Sequence, residues 1–409
     1  MSGKIEAPRG TLDALPGQSA ARERVLAVTA EVAGLYGYRP IVTPTFEATE
    51  LFLRTAGLGS DVVSKEMYTF TDRADRSLTL RPEGTAGAAR AYVEHGLHKT
   101  PQPVKAWYAG PMFRYAAPQK GRYREFWQVG FEAIGSPDHA LDVELIRLFV
   151  EITKRLGLGA IRLELNSIGD RNCRPAYVEQ LRAFLAEHRA ELDDDARAKA
   201  DTSPLRVFDT KSAHVAELLQ AAPTIGGSLC GDCAAHFAET RALLDALGVS
   251  YTVNPTLVRG LDYYTRTVWE FVNDDLDAAQ STVCAGGRYD GLLEEIGGQP
   301  TPAVGWAAGV ERLALSLGAL DGQQEIDVFV IVEEPARRRE ALVGLAALRA
   351  RGVTAETDYA GRSLKGQLTQ AQRLGARTTL FVRADGIAIR RRGEGDIVVQ
   401  TIEEAVDQL

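Results

Sequence analysis

The chain has 409 residues, with 47 Lys+Arg against 55 Asp+Glu and a formal net charge of -8. That length allows two or three domains with cores of their own, and 45% hydrophobic with 25% charged residues is the mix of an ordinary soluble globular protein. No apolar run approaches the roughly 18 residues of a bilayer span, Met1 to Pro16 lacks a secretory signal, and four cysteines suit a reducing cytoplasm better than a disulfide framework.

In chain order, helical periodicity runs from Ser19 to Tyr36 and breaks at Gly37 and Pro40. A β-rich stretch, Tyr38 to Glu47, is interrupted by Pro44. Strand-like runs recur at Tyr68–Thr71, Ser77–Arg81, Val104–Arg114 and Glu125–Gly135. Ala/Leu/Glu/Arg-rich windows make Ala176 to Leu247 mostly helical. Strand character returns at Tyr251–Val253, Thr265–Val272 and Ser281–Cys284, and a helix follows near Val310–Leu317. Beyond Asp321-Gly322 strand and helix alternate: strands at Asp327–Val332, Thr378–Val382 and Gly386–Arg391, helices at Pro335–Arg351 and Ser363–Leu374. Such alternation predicts a small α/β domain with a mixed or parallel sheet. From Ile326 onward there are 13 Lys+Arg and 12 Asp+Glu, so this last segment is basic relative to the rest. An acidic total with a local basic surface remains compatible with nucleic-acid binding.

Val104 to Gly135 is the richest stretch. Two strands flank a polar, basic loop, Tyr115-Ala-Ala-Pro-Gln-Lys-Gly-Arg-Tyr123. With period two, Phe126, Gln128, Gly130, Glu132 and Ile134 share one face of the second strand, and Tyr108, Gly110, Met112 and Arg114 share one face of the first. Paired as a hairpin, they combine Arg, Gln, Glu, an aromatic ring and two glycines on one surface. The glycines leave room for a ligand against the sheet. Taken alone, the same polar residues also fit a merely solvated face.

The residues then acquire a family likeness. Phe113-Arg114, the loop and Gly121-Arg-Tyr-Arg-Glu-Phe126 resemble motif 2 of class II aminoacyl-tRNA synthetases in its histidine-specific form. The resemblance implies that Arg114 grips the α-phosphate of ATP, that Arg122 also binds ATP, that Phe126 stacks on adenine, and that Gln128 and Glu132 face histidine. A guanidinium fork suits phosphate oxygens and stabilises the charge that develops as pyrophosphate leaves. One departure stands at Ala116, where the family carries an acidic residue that contacts the adenine amino group. Thr79-Leu-Arg-Pro-Glu-Gly-Thr85 resembles the amino-acid-binding loop, placing Glu83, Gly84 and Thr85 at the substrate ammonium, although Pro-Glu-Gly is also an ordinary turn. Leu257-Val-Arg-Gly-Leu-Asp-Tyr-Tyr-Thr265 resembles the signature of the histidine-specific enzymes. It implies Arg259 as a second cation at the α-phosphate, where other class members lean on metal ions, with Tyr263 and Tyr264 lining an imidazole pocket.

Ala285-Gly-Gly-Arg-Tyr-Asp-Gly291 resembles a second histidine motif, with Arg288 and Tyr289 at the pocket floor. Ala303-Val-Gly-Trp-Ala-Ala-Gly-Val-Glu-Arg-Leu313 resembles motif 3, with Arg312 reaching the γ-phosphate and adenine. Ile41-Val-Thr-Pro44 matches motif 1 more loosely. Pro8-Arg-Gly-Thr11 and Arg362-Ser-Leu-Lys365 extend the likeness to both ends.

The expected fold is thus α+β: a class II synthetase antiparallel-sheet catalytic core with a helical insertion, plus a C-terminal α/β anticodon-binding domain. The expected boundaries are 1–170 and 251–321 for the core, 171–250 for the insertion and 322–409 for the last domain. The implied activity is ATP-dependent activation of L-histidine to histidyl-adenylate and transfer to the 3′ end of tRNA(His), with Mg²⁺ accompanying ATP. A homodimer in the cytoplasm, with no membrane association, completes the expectation. Lys120, Arg122 and Arg124 are expected to meet the acceptor stem, and Arg362 and Lys365 the anticodon. The rival is a non-catalytic histidine-sensing regulatory subunit of histidine biosynthesis, which shares the catalytic fold. Such subunits lack the anticodon module and parts of the Arg-Gly-Leu-Asp-Tyr-Tyr signature, and this chain keeps both. Cys230-Gly-Asp-Cys233 with His236 invites a zinc reading, but three neighbouring ligands fall short of the usual four, so two reduced thiols are expected instead.

Overall fold

The computed structural model describes residues 4–57, 60, 62–117, 121–159, 161–210, 212–277, 281–318, 325–391 and 394–409. Two compact units divide the chain, residues 1–319 and 320–409. The fold is α+β. The strands of the first unit, in chain order, are β1 Arg39–Pro40, β2 Phe46–Ala48, β3 Tyr68–Thr71, β4 Ser77–Leu80, β5 Val104–Phe113, β6 Glu125–Ile134, β7 Ile161–Ser167, β8 Thr252–Val253, β9 Thr265–Asn273, β10 Thr282–Arg288 and β11 Ala303–Gly309.

Eight of them form one sheet in the order β1-β5-β6-β11-β10-β9-β7-β8. It is antiparallel except at its rims, where β1 runs parallel to β5 and β8 to β7. The expected hairpin is present, and its register pairs Tyr108 with Gly130, Gly110 with Gln128 and Met112 with Phe126. Opposite β6, Gly305, Ala307 and Gly309 of β11 align with Glu132, Gly130 and Gln128.

Alternation sends the two faces of β6 to different environments. Val129, Phe131 and Ala133 join a core with Val25, Val28 and Val32 of the helix Pro16–Leu35 and Leu145, Ile146, Phe149 and Ile152 of the helix His139–Leu156. The latter helix starts at Asp138, whose carboxylate accepts from Ala140 N at 2.9 Å, and stops at Gly157 in the left-handed conformation. The opposite face carries Gln128 and Glu132. The helix Thr85–Glu94 and the tyrosines 263, 264 and 289 pack there. Much of 174–246 is helical, including Arg174–Glu187 and Gly231–Ala246.

In the second unit, β12 Val328–Val332, β13 Ala355–Thr357, β14 Thr378–Arg383, β15 Gly386–Arg391 and β16 Ile397–Val399 form a mixed sheet in the order β13-β12-β14-β15-β16. β12 is parallel to β13 and β14, and the remaining pairs are antiparallel. Val328, Val330, Leu380, Val382, Ile387 and Ile389 face one cluster, and Phe329, Ile331, Phe381 and Ala388 another. A sheet apolar on both faces is the mark of helices packed on both sides. Among the described residues no helix is long and apolar enough to cross a membrane.

Candidate functional site

On the polar face of the large sheet lies a cavity of about 360 Å³. Arg114, Arg122, Phe126 and Gln128 reach it from the hairpin, Glu83 and Thr85 from the start of the helix Thr85–Glu94, Arg259, Tyr263 and Tyr264 from the segment before β9, and Arg312 from the start of the helix Val310–Leu317. Segments more than 200 residues apart in sequence therefore converge on one hollow. Lys120 lies outside the described residues.

Two expected histidine-binding residues lie behind the lining. Glu132 is fully buried and accepts from Thr85 Oγ1 at 2.7 Å, from Tyr108 OH at 3.2 Å and from Tyr289 OH. Gly84 backs onto the Tyr108 ring. The glycines on this face thus make room for side chains that build the site, not directly for a ligand. A Cβ on Gly84 or Gly130 would overlap the Tyr108 ring, and one on Gly305 would overlap the Glu132 carboxylate. Gly130→Ala is therefore expected to destabilise by about 1–3 kcal/mol in denaturant unfolding, the usual cost of overpacking. It should also weaken histidine binding, whereas Gly226→Ala, with open space beside it, should do neither.

The electrostatics divide the cavity in two. At one end, burial raises the Glu83 carboxyl above its ordinary value, although Ala86 N at 2.9 Å and Thr85 N at 2.6 Å donate to it. Burial also raises Glu132, to about 8, against the pull of the Tyr289, Thr85 and Tyr108 hydrogen bonds. This end favours a ligand that carries positive charge. The folded protein holds the Glu132 proton between the unfolded value of 4.5 and about 8, so raising the pH through that window removes stability. Glu132→Gln is expected to flatten that decline and raise the melting temperature at pH values above about 8 relative to the parent. A parent whose stability rises across the same window because of Glu132 would refute the assignment.

At the other end, four guanidinium groups line the hollow. Burial lowers the Arg114 pKa, and burial followed by Arg114 and Arg122 lowers that of Arg312. Burial opposes the charge of Arg259 most strongly, but Glu270, Tyr264, Asp209 and Tyr263 together outweigh it and raise the pKa. Arg114 Nε donates to Pro82 O at 2.8 Å, and its guanidinium sits over the Phe126 ring at 5.4 Å. Arg122 pairs with Glu66 at 2.8 Å, and Arg312 donates to Thr282 O at 2.6 Å. Arg259 pairs with Glu270, while its buried Nε has no hydrogen-bond partner. Gln128 Oε1 is likewise buried without a partner. Buried polar atoms are rarely left so, and both residues line the cavity. The cationic end suits polyphosphate, and Phe126 supplies a flat ring beside it.

Arg288 does not reach this cavity. It is fully buried and pairs with Asp142 at 2.5 Å, while its neighbour Tyr289 does reach the floor through Glu132. Glu270, Tyr108 and Glu311 complete the site but are not evident as such from sequence. The one available signal is Val268-Trp-Glu-Phe-Val272, a single charge inside an apolar strand, which demands a partner. Ala116 lines the cavity where the family likeness would place a carboxylate. His236, set against the zinc reading, points instead to Asp142 Oδ1 at 3.5 Å.

Comparison with known proteins follows the same lines. Residues 10–313 match the family model described as histidyl-tRNA synthetase. A histidine–tRNA ligase of Moorella thermoacetica is 48% identical over 93% of this chain and 91% of its own length. One of Rubrobacter xylanophilus is 47% identical over 90% and 89%. The crystal structure of apo S. aureus histidyl-tRNA synthetase superposes with a TM-score of 0.82 at 36% identity, covering 99% of both chains.

Proposed function

The chain belongs to the histidyl-tRNA synthetase family, and on that premise we propose that its cavity activates L-histidine with ATP and passes the histidyl group to the 3′ end of tRNA(His). The observation that carries this reading is the two-ended cavity: buried carboxylates at one end, four guanidiniums at the other. Histidine enters with its ammonium toward Glu83 and Thr85 and its imidazole among Tyr263, Tyr264, Gln128 and the Glu132 network. A neighbouring cation favours the ionised carboxylates that burial opposes. ATP lies with adenine on Phe126 and its phosphates among Arg114, Arg122, Arg259 and Arg312.

The histidine carboxylate then attacks the α-phosphorus, forming the mixed anhydride and releasing pyrophosphate. Arg114 and Arg259, held before the reaction begins, stabilise the charge that grows on the α-phosphoryl oxygens. Holding both substrates in line supplies a further large part of the rate. In the second step the terminal ribose hydroxyl of tRNA attacks the adenylate carbonyl and AMP leaves.

Mg²⁺ accompanies ATP in this reading, and the donor set fits it. Glu311 lines the cavity beside Arg312, and its two oxygens share one donor, Trp127 N, at 2.9 and 3.1 Å. It therefore keeps lone pairs for a hard cation, which takes most of its ligands from phosphate and water. Bound there, Mg²⁺ would offset phosphate charge.

Arg122, which lines the hollow, and Arg124 are proposed to meet the acceptor stem, and the unit 320–409 is proposed to bind the anticodon. Its Arg362 and Lys365 stand at the start of the helix Leu364–Arg373, capped by Ser363, with Arg362 paired to Asp358 at 2.6 Å. A homodimer is proposed as well. In support, Val42, just past the edge strand β1, is an apolar side chain that is 93% exposed. Four unpaired cysteines support a cytoplasmic setting.

The deciding experiment is ATP–pyrophosphate exchange with each amino acid in turn. Exchange driven by histidine alone supports the proposal, and charging of tRNA(His) completes it. Histidine binding without exchange would favour the regulatory-subunit reading instead.

A further inference from the structure

A second cluster of chemistry-bearing side chains lies outside the cavity. Asp170 and Cys173 follow β7, and Cys230 and Cys233 sit at the start of the helix Gly231–Ala246. One ligand atom from each lies within 4.8 Å of every other. Cys173 and Cys233 are buried, Cys230 is half-buried, and the Asp170 side chain is 13% exposed. We propose that Asp170, Cys173, Cys230 and Cys233 bind one structural Zn²⁺ ion that clamps the base of the helical insertion.

The geometry is that of a tetrahedron lacking only small adjustment. Two thiolates each about 2.3 Å from zinc, at the tetrahedral angle, lie about 3.8 Å apart. Cys173 Sγ and Cys233 Sγ are 3.8 Å apart. Asp170 Oδ1 lies 3.7 Å from Cys173 Sγ and 4.0 Å from Cys230 Sγ, so the carboxylate completes the set from the remaining corner. The pair Cys230-x-x-Cys233 has the spacing of a zinc knuckle, and Asp170-x-x-Cys173 repeats it. Two such knuckles make a four-ligand set, where the local sequence around Cys230 suggests only three.

Surrounding groups suit a negatively charged centre. Cys173 and Cys230 are the N-cap residues of the helices Arg174–Glu187 and Gly231–Ala246, so two helix N-termini face the cluster. Asp170 N approaches Cys173 Sγ at 3.4 Å, Asn172 N donates to Asp170 Oδ1 at 2.9 Å, and Arg266 stands 3.6 Å from Asp170 Oδ2. Such outer hydrogen bonds orient ligands around a metal. A disulfide reading fits less well. Sulfur atoms in a disulfide are about 2.05 Å apart, three thiols leave one over, and neither accounts for the carboxylate among them.

The clamp has a position of consequence. Cys173 and Cys233 are 60 residues apart in sequence, so the ion closes the insertion at its root. Arg174, next to Cys173, donates to Ile168 O and Gly169 O at 3.0 Å and to Tyr264 O at 2.5 Å. The knuckle is thereby tied to the backbone of the tyrosine pair that lines the main cavity.

The test is the metal content and coordination of the full-length protein, purified without added metal and dialysed. The expected result is about one zinc per chain, with an X-ray absorption spectrum of three sulfurs near 2.3 Å and one oxygen near 2.0 Å. Cys233→Ser should lose most of the zinc, and His236→Gln should keep it. Limited proteolysis should cut within 174–246 faster after removal of the metal by a chelator. Wild-type protein without zinc above background would overturn the proposal, as would a spectrum dominated by nitrogen or a Cys173–Cys233 disulfide on mass analysis. These measurements on the unaltered chain decide the matter even where a variant fails to fold.

Discussion

Arg259→Ala is expected to lower histidine-dependent ATP–pyrophosphate exchange by about 10²–10³-fold, the loss typical of removing one preorganised donor to a developing anion. Arg259 is held by Glu270, which also accepts Thr282 Oγ1 at 2.9 Å, so its position is set before substrate arrives. Its Nε is buried and without a hydrogen-bond partner. Arg114 approaches the same space from the hairpin, so on the proposed reading two cations on different elements bracket the α-phosphate. The loss should fall on kcat more than on the KM for histidine, because the charge that Arg259 meets grows in the transition state. Lysine at this position should restore little, since a point charge lacks the planar fork. Affinity for tRNA(His) should change far less than exchange, and equal loss of both would overturn the assignment.

Arg288→Ala is expected to cost about 3–5 kcal/mol of stability, the range for breaking a buried ion pair from one side. Both Arg288 and Asp142 are 0% exposed, and the guanidinium also donates to Ser136 O at 3.0 Å and Asp138 O at 2.9 Å. The substitution strands the Asp142 carboxylate and two carbonyls in the core. Burial pushes the Asp142 carboxyl up, but the Arg288 charge and the His236 hydrogen bond hold it below its ordinary value. The double variant Arg288→Met, Asp142→Leu should recover part of the loss, since the Asp142 charge is then no longer stranded, although Asp290 and the two carbonyls still lose their donor. Denaturant unfolding of the two variants checks both statements. A single variant within experimental error of the parent would show that the core readily solvates Asp142.

The hairpin and the α/β end of the chain were legible because their signals are local. Phe126, Gln128, Gly130 and Glu132 alternate with Trp127, Val129, Phe131 and Ala133, and that period alone assigns two faces and a register. The helix Thr85–Glu94 has no such stripe: Thr85, Ala86, Gly87, Ala88, Ala89 and Ala91 are all buried, so no polar face reveals it. The roles of the glycines were harder to read, since what fills the space beside Gly130 is Tyr108 from the neighbouring strand. Arg288 illustrates a second limit. Its partner is 146 residues away, so a glycine-flanked arginine reads like a cavity residue when it is a core one. Asp170 and Cys173 join Cys230 and Cys233 by the same kind of long-range meeting: each pair has its two-residue spacing, but nothing in the sequence says that the two pairs meet.

The four arginines around the hollow also bear on how the protein behaves between turnovers. After burial, Arg114 and Arg122 lower the Arg312 pKa further, and Arg122 that of Arg114, so a multivalent anion among these groups relieves repulsion. Pyrophosphate, the first product, is such an anion and fits the same donors. Phosphate or sulfate in a storage buffer should act as a weak stand-in, raising thermal tolerance while competing with ATP.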